Sequence, residues 1–511
     1  MTSLLRVLVA STVLLGAAAD GAPAEAKTGQ KPVAFQVVDA AGQLLPCRIH
    51  VKDSKGEPQR AGSLPSFADH FSCEGSAALS LGPGKYTYLI ERGPEYRRIE
   101  GSFEVGEEAL QIREKLERLV DLASEGWWSG ELHVHRPPQD MPLLLRAEDL
   151  HVAPTITWWN KTSPWKSSSL PGTALVRLDE NRAYHVLGGE DERQGGAFLF
   201  YNLERPVDIT GAEQEYPCPI RFLEEAARQK GAWIDIEKPF WWDVPVALAH
   251  GFGQSIGIAH NHMWHGGVLD NEAWGKPRDR EVYPGPHGNA LWSQQIYYHV
   301  LQSGIRIPPS AGSASGVLPN PVGYNRVYVH LDGPFSWEKW WASLREGRSF
   351  VTNGPLLRAR VDGKLPGHVF AAKEGEALEL EVTGSLDGND PVLFVEIIKD
   401  GVVERTVPRE EISKAGSIGR VRFERSGWLL VRAVAATKHT FRFASTAPFW
   451  VEVGSEKRLL SRKSIQFFLD WVKERMGRID LKDPGKLREV LRYHEEAKKF
   501  WEARLEGANA P

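Results

Sequence analysis

Residues 126–136 constrain this chain more than any other stretch: Gly126-Trp-Trp-Ser-Gly-Glu-Leu-His133-Val-His135-Arg136. An apolar Leu-His-Val-His run after a glycine predicts a short buried strand. Side chains at i and i+2 of a strand share a face. Both imidazoles then point at one spot, as a divalent metal requires of two nitrogen ligands. The competing reading is a pair of hydrogen-bonded core or loop histidines. The metal reading needs further donors from elsewhere in the chain.

At 511 residues the chain exceeds a single domain, and about three are expected. Hydrophobic content of 42%, charged content of 25% and 18 tryptophans describe a folded protein with aromatic-rich cores or clefts. A net charge of −4 with no long charge run excludes general nucleic-acid binding, which needs a basic face. Arg6 precedes an apolar run over 7–19, and Ala17 with Ala19, or Ala24 with Ala26, offers a cleavage site. Residues 1–26 therefore read as a signal peptide of a secreted or periplasmic protein, with a lipid-free anchor as the alternative. No later segment has ~20 uninterrupted apolar residues, so no stable membrane span is expected. Cys47 and Cys73 fall in the first folded segment, where a disulfide would leave Cys218 over. The alternative is three reduced, buried cysteines; none has zinc-site spacing.

Residues 32–122 predict a β-sandwich. Cys47, Ile49 and Val51 alternate with Arg48, His50 and Lys52, giving one buried and one wet face. Turn chemistry separates the runs at Gly42, at Asp53-Ser-Lys-Gly56 and at Gly82-Pro-Gly84. Residues 106–125 fit either a helix or a strand. Over 123–355 short apolar strands alternate with helical stretches; 221–230 reads as a helix stopped by Gly231 before a strand at 232–236. A second sandwich is expected over 356–455, with Asp400-Gly401 as a hairpin turn. The tail, 456–511, is helical. Ile465, Phe468, Leu469, Val472 and Met476 recur at helical spacing, and Asp483-Pro484 caps a second helix.

The central segment supplies the partners that the first histidine pair needs. Glu190, in Gly188-Gly-Glu190-Asp-Glu192, reads as a carboxylate delivered by a strand tip; the alternative is an exposed acidic loop. Asp235 and Glu237 are i and i+2 on an apolar strand, where buried charges need a metal or a partner cation. Lys238 is such a cation, provided the strand has ended before it. Ile256-Gly-Ile-Ala-His260-Asn-His262-Met-Trp-His265 carries a second histidine pair behind an apolar strand, and His262 with His265 would also meet on a helical turn. His287 reads as a loop residue. The loop around Gly312 and Gly316 suits either backbone contact with an anion or a tight turn. Trp158, Trp159, Trp165, Trp241, Trp242, Trp264 and Trp292 crowd this region, as a ligand-stacking rim or as core.

Gly130-Glu-Leu-His133-Val-His135-Arg136, Gly189-Glu190 and Leu344-Arg-Glu-Gly-Arg-Ser-Phe-Val-Thr-Asn-Gly354-Pro355 resemble the PHP superfamily of metal-dependent hydrolases, in its CehA/McbA-like branch. The resemblance spans roughly 124–355. It implies an α/β fold, a distorted PHP-like (β/α) barrel flanked by two β-sandwiches, with metals at the C-terminal mouth of its strands. It also implies that His133 and His135 ligate one ion and that Glu190 bridges two. This chain departs from the family at three places. Thr157-Trp158-Trp159 replaces Thr-Asp-His, Lys238-Pro239 replaces His-Pro, and Gly312-Ser-Ala314-Ser-Gly316 replaces Gly-Ser-Asp-x-His.

Two functions follow as expectations. The first is an exported metal-dependent hydrolase of ester-type bonds. In it His133, His135, Glu190, Glu237 and His262 serve a divalent metal, and Lys238 or His260 handles protons. Histidine with carboxylate suits zinc, manganese and iron alike. The second is a catalytically degenerate relative that binds a small-molecule, carbohydrate-like or cell-envelope ligand in a tryptophan-lined cleft.

Overall fold

The computed structural model describes residues 29–412 and 416–511, so the expected signal peptide lies outside the described residues. Among those described, the fold is mixed α/β, mostly sheet, with seven α-helices. They are α1 (Met141–Ala147), α2 (Ile220–Ala227), α3 (Val244–Ala249), α4 (His287–Gln302), α5 (Trp337–Arg345), α6 (Arg462–Arg478) and α7 (Pro484–Glu506). Among the described residues no helix is long and apolar enough to cross a membrane.

The N-terminal region has two sheets. One holds Ser76–Leu81, Lys31–Val38 and Leu110–Lys115; the other runs Ser66–Phe67, His70–Cys73, Cys47–Asp53, Gly84–Glu91 and Ile99–Val105. Val33, Phe35, Ile49, Val51, Phe71, Leu79 and Ile90 fill the space between them, each apolar side chain adding about 1.5–3 kcal/mol on burial. Leu110–Lys115 settles the ambiguous segment as a strand, parallel to Lys31–Val38. The predicted wet face is a correction: Arg48 and His50 are buried. Arg48 is neutralised there by Glu91 and Glu148, the latter contributed by the central region. Cys47 and Cys73 face each other in register with Sγ atoms 3.8 Å apart, but these two and Cys218 are free, buried thiols, so the reduced alternative holds in place of the disulfide.

In the central region the strands run Pro309–Ala311, Ser255–Ala259, Trp233–Ile236, Gly196–Tyr201, Ala183–Arg193, Val152–Trp159 and Trp127–Gly130. Val134 then bridges Thr155 on one side and Ser315 on the other, both in parallel sense, and Leu132 N–H donates to the Ala311 carbonyl. Pairing therefore returns from 309–315 to 152–159 through the histidine-bearing segment. The same sheet continues through Arg326–His330 and Ser349–Thr352 to Phe443–Thr446, so hydrogen bonding runs across the expected boundary at 355/356.

Local rules account for the rest. Helix α2 buries Ile220, Phe222, Leu223 and Ala226 and stops earlier than expected; Gly231 then turns at φ 78° into Trp233–Ile236. Asp400 and Gly401 both take positive φ, 47° and 80°, between Val392–Lys399 and Val402–Pro408, the geometry of a two-residue hairpin. Asp483 Oδ1 accepts from Gly485 N–H at 2.7 Å and Lys486 N–H at 3.0 Å, capping α7. Helices α6 and α7 pack on the central region, where Arg475 pairs with Asp243 and Trp501 Nε1 donates to the Pro245 carbonyl.

Candidate metal centre

His133 and His135 do not lie in a regular strand; only Val134 between them is paired. That is enough to hold both rings on one side. His133 Nε2 and His135 Nε2 stand 3.1 Å apart. Glu190 Oε2 lies 3.0 Å from His135 Nε2 and 3.6 Å from His133 Nε2. Four ligands about 2.0–2.1 Å from a tetrahedral ion sit about 3.3–3.4 Å from one another, so these three atoms have the spacing of adjacent metal ligands. His133, His135 and Glu190 form one of two groupings among the described residues that could hold a metal ion. Glu190 Oε2 is also buried with no hydrogen-bond partner. In the metal-free protein the charge that faces it is the His133 imidazolium, in the place a divalent ion would take. The residues present fit a divalent metal.

Glu190 corrects the strand-tip and acidic-loop readings alike. It sits inside the eleven-residue strand Ala183–Arg193 and is 2% exposed. The glycines before it make no turn. A Cβ at Gly188 would press on the Thr155 backbone, and one at Gly189 would collide with the Trp158 indole. Close packing, not chain reversal, requires them.

Glu237 comes just after the strand Trp233–Ile236 and meets His133 from the opposite ring nitrogen, Oε1 to Nδ1 at 3.3 Å. Its Oε1 also accepts from Lys238 Nζ at 2.6 Å, and its Oε2 from Trp241 Nε1 at 2.8 Å. Because the strand has ended, Lys238 turns back onto Glu237 and lies over the Trp241 ring, 4.7 Å from its centre. Asp235 takes a separate path, accepting from the Ser255 and Ser310 hydroxyls. Burial pushes its carboxyl up to about 7.

The second histidine pair has other partners. His260 Nε2 meets Ser293 Oγ of α4 at 2.8 Å. His262 Nδ1 meets the Asn271 carbonyl at 2.9 Å, and the Phe240 ring lies against both. Neither belongs to the grouping at His133. The segment after His260 is a turn and a short hairpin, Met263–Trp264 with Gly267–Val268, rather than a helix, and His265 reaches Asp69 instead of His262. His287 is the first residue of α4, not part of a loop.

The charges sort accordingly. Burial pulls the His133 imidazole down, but the Glu190 and Glu237 carboxylates raise it to about 10. Burial pushes Glu190 up, and the His133 charge outweighs it and lowers the carboxyl to about 2. His262 is lowered to about 3 by burial and by the Lys238 charge; His260 is lowered well below its ordinary value, chiefly by burial.

Where the sequence departs from the PHP pattern, the replacements are packed in place. Trp158 is buried, and its Nε1 donates to the Leu187 carbonyl at 3.3 Å. Trp159 stands 5.1 Å from the His135 ring and donates to Glu192 Oε2 at 3.2 Å. The loop with Ala314 (φ 51°) lies against the histidine segment: Cβ atoms at Gly312 and Gly316 would strike His133 Cβ and the His135 carbonyl. The anion this loop approaches is the protein's own Glu131, whose Oε1 accepts from Ser313 N–H at 2.6 Å and whose Oε2 accepts from Gly323 N–H. Sequence reasoning missed Glu131, which carried no distinguishing spacing. It also missed Glu192, whose i+2 offset from Glu190 was the available signal; burial and the Glu190 charge push its carboxyl up to about 8. The expected tryptophan rim is mostly core: Trp158, Trp241, Trp242 and Trp292 are buried, and Trp159, Trp165 and Trp264 are half-buried.

No protein-family model matches the chain, and no curated protein matches it. The resemblance to the PHP superfamily rests on its motifs.

Proposed function

We propose that this chain is an exported metal-dependent hydrolase of ester-type bonds, phosphoester or carboxylic and carbamate ester, built on a distorted PHP-like barrel between two β-sandwiches. The observation that carries the reading is the spacing of His133 Nε2, His135 Nε2 and the unpartnered Glu190 Oε2. A divalent ion held there supplies Lewis acidity and an acidified water at neutral pH. Zinc, manganese and iron all suit the donor set.

The chain's own residues do the rest. Glu237 keeps the His133 proton on Nδ1, which leaves Nε2 free to ligate; a carboxylate behind a metal-binding imidazole also fixes its ring orientation. Lys238 and Trp241 satisfy Glu237, so that its charge is not stranded in the interior. Trp159 packs on the His135 ring and restricts its rotation. The binding-protein alternative draws less support, because the tryptophans meant to line its cleft are largely packed inside.

The test is a screen of chromogenic phosphoesters and aryl esters with and without chelator, together with elemental analysis. Hydrolysis that chelator abolishes and metal restores supports the proposal. Protein that binds stoichiometric metal at His133 and His135 yet cleaves nothing in the screen overturns the hydrolase assignment.

A further inference from the structure

The second grouping of metal-ligand type lies outside this centre, on the N-terminal region: His50, Asp69 and His70. Asp69 follows Ala68 (φ 48°) at the tip of the hairpin formed by Ser66–Phe67 and His70–Cys73. Its Oδ1 stands 3.3 Å from His50 Nδ1 and 3.4 Å from His70 Nδ1. Its Oδ2 stands 3.4 Å from Nε2 of His265, contributed by the central region. The hairpin also touches the first histidine segment, where the Arg136 guanidinium lies over the Phe67 ring.

We infer that His50 Nδ1, Asp69 Oδ1 and His70 Nδ1 form a second divalent-metal site of the zinc type, built within the N-terminal region. Two imidazole nitrogens stand 3.3 and 3.4 Å from one carboxylate oxygen. That is beyond the usual 2.7–3.2 Å of an N–H···O bond and matches the separation of about 3.3–3.4 Å between neighbouring ligands of a tetrahedral ion. Two imidazoles with one carboxylate is a donor set that zinc accepts, with water in the fourth position.

The far nitrogen of His50 agrees. Ligation through Nδ1 puts the His50 ring proton on Nε2, which is buried with no hydrogen-bond partner, and Glu91 Oε2 lies 3.8 Å from it. A carboxylate on that side is the usual companion of a metal-bound imidazole. Lys52 Nζ is 3.2 Å from Asp69 Oδ2. Its side chain is 41% exposed, so the ammonium can swing into water when a cation takes the carboxylate.

This inference does not depend on the hydrolase reading, and its test keeps the two apart. Full-length protein is stripped with chelator, loaded with zinc, dialysed and analysed for metal. The unmutated chain should hold two ions, His133→Ala plus His135→Ala should hold one, and adding His50→Ala with His70→Ala should remove it. Cobalt in the His133→Ala, His135→Ala protein should give the visible bands of a tetrahedral site. Zinc should raise that protein's thermal midpoint only while His50 and His70 are present. If the fourfold variant fails to fold, Asp69→Asn in the same background should weaken the remaining ion at least tenfold. A folded His133→Ala, His135→Ala protein that retains no zinc overturns the site. So does a retained ion indifferent to His50, Asp69 and His70.

Discussion

The His-x-His pattern occurs twice behind an apolar segment, at 133/135 and at 260/262, and the two pairs meet opposite fates. At the first, Val134 is pinned between Thr155 and Ser315, and the rings stand 5.1 Å apart with Glu190 and Glu237 on either side of His133. At the second, the chain turns at once, His262 N–H donates to His260 Nδ1, and the ring planes cross at 74°. The rings then find a hydroxyl and a carbonyl in place of a carboxylate. Spacing supplies two imidazoles. The acidic side chains that the fold brings round them decide whether they can receive a cation.

The largest effect that tests this contrast is metal content. His133→Ala plus His135→Ala, or Glu190→Gln alone, should cost the protein the ion of the first centre by elemental analysis. His260→Ala plus His262→Ala should leave that ion in place. Metal lost from both double variants would mean that the second pair also contributes donors and that the contrast is false.

Next in size is the carboxylate behind the ligand. Glu237→Gln retains the shape but weakens the acceptor for His133 Nδ1–H, and such changes typically lower metal affinity about 10–100-fold. Competition with a chromophoric chelator would read this. An ion bound as tightly as in the unmutated protein would reduce Glu237 to a partner of Lys238 and Trp241.

Proton release separates the pairs as well. With His133 raised to about 10 in the metal-free protein, its ring is protonated at pH 7.5. Metal at Nε2 must expel that proton while the Nδ1 proton stays on the ring, donated to Glu237. Calorimetry in buffers of different ionisation enthalpy should therefore give about one proton released per ion at pH 7.5, fading as the pH passes about 10. His262, lowered to about 3, and His260 are neutral in this range and would release none. The same shift sets a stability trend for the metal-free fold. A raised value stabilises fully below the unfolded value of about 6.5, and the contribution is lost as pH rises through about 10.

Much of this centre was readable in the sequence, and the unreadable part has a common cause. His133 and His135 were legible as an i, i+2 pair in an apolar run; Glu190 drew notice beside glycines that turn out to serve packing, so its place inside a strand was not. The hairpin at Asp400-Gly401 and the Asp483 cap were legible too, since both rules act within a few residues. Partners fixed by tertiary contact were not legible. His265 lies three residues from His262 in the chain but answers to Asp69. Arg48 and His50 alternate as a solvent face should, yet are buried because the central region covers them. The tryptophans misled in the same direction. Adjacent pairs suggested a rim, but Trp158 packs under Gly189, a contact between strands that no local pattern encodes.

The smallest effect falls on stability alone. Ser293 Oγ donates to the Asn289 carbonyl at 3.0 Å, which leaves its lone pairs to accept from His260 Nε2–H at 2.8 Å. Ser293→Ala removes that acceptor and strands a buried imidazole N–H, at a cost of about 1–3 kcal/mol. Chemical denaturation should show a loss of this size while the metal content of the first centre stays unchanged, because the hydroxyl touches neither His133 nor Glu190. If metal were lost as well, His260 would be coupled to the centre through α4, and the two histidine pairs would have to be treated as one site.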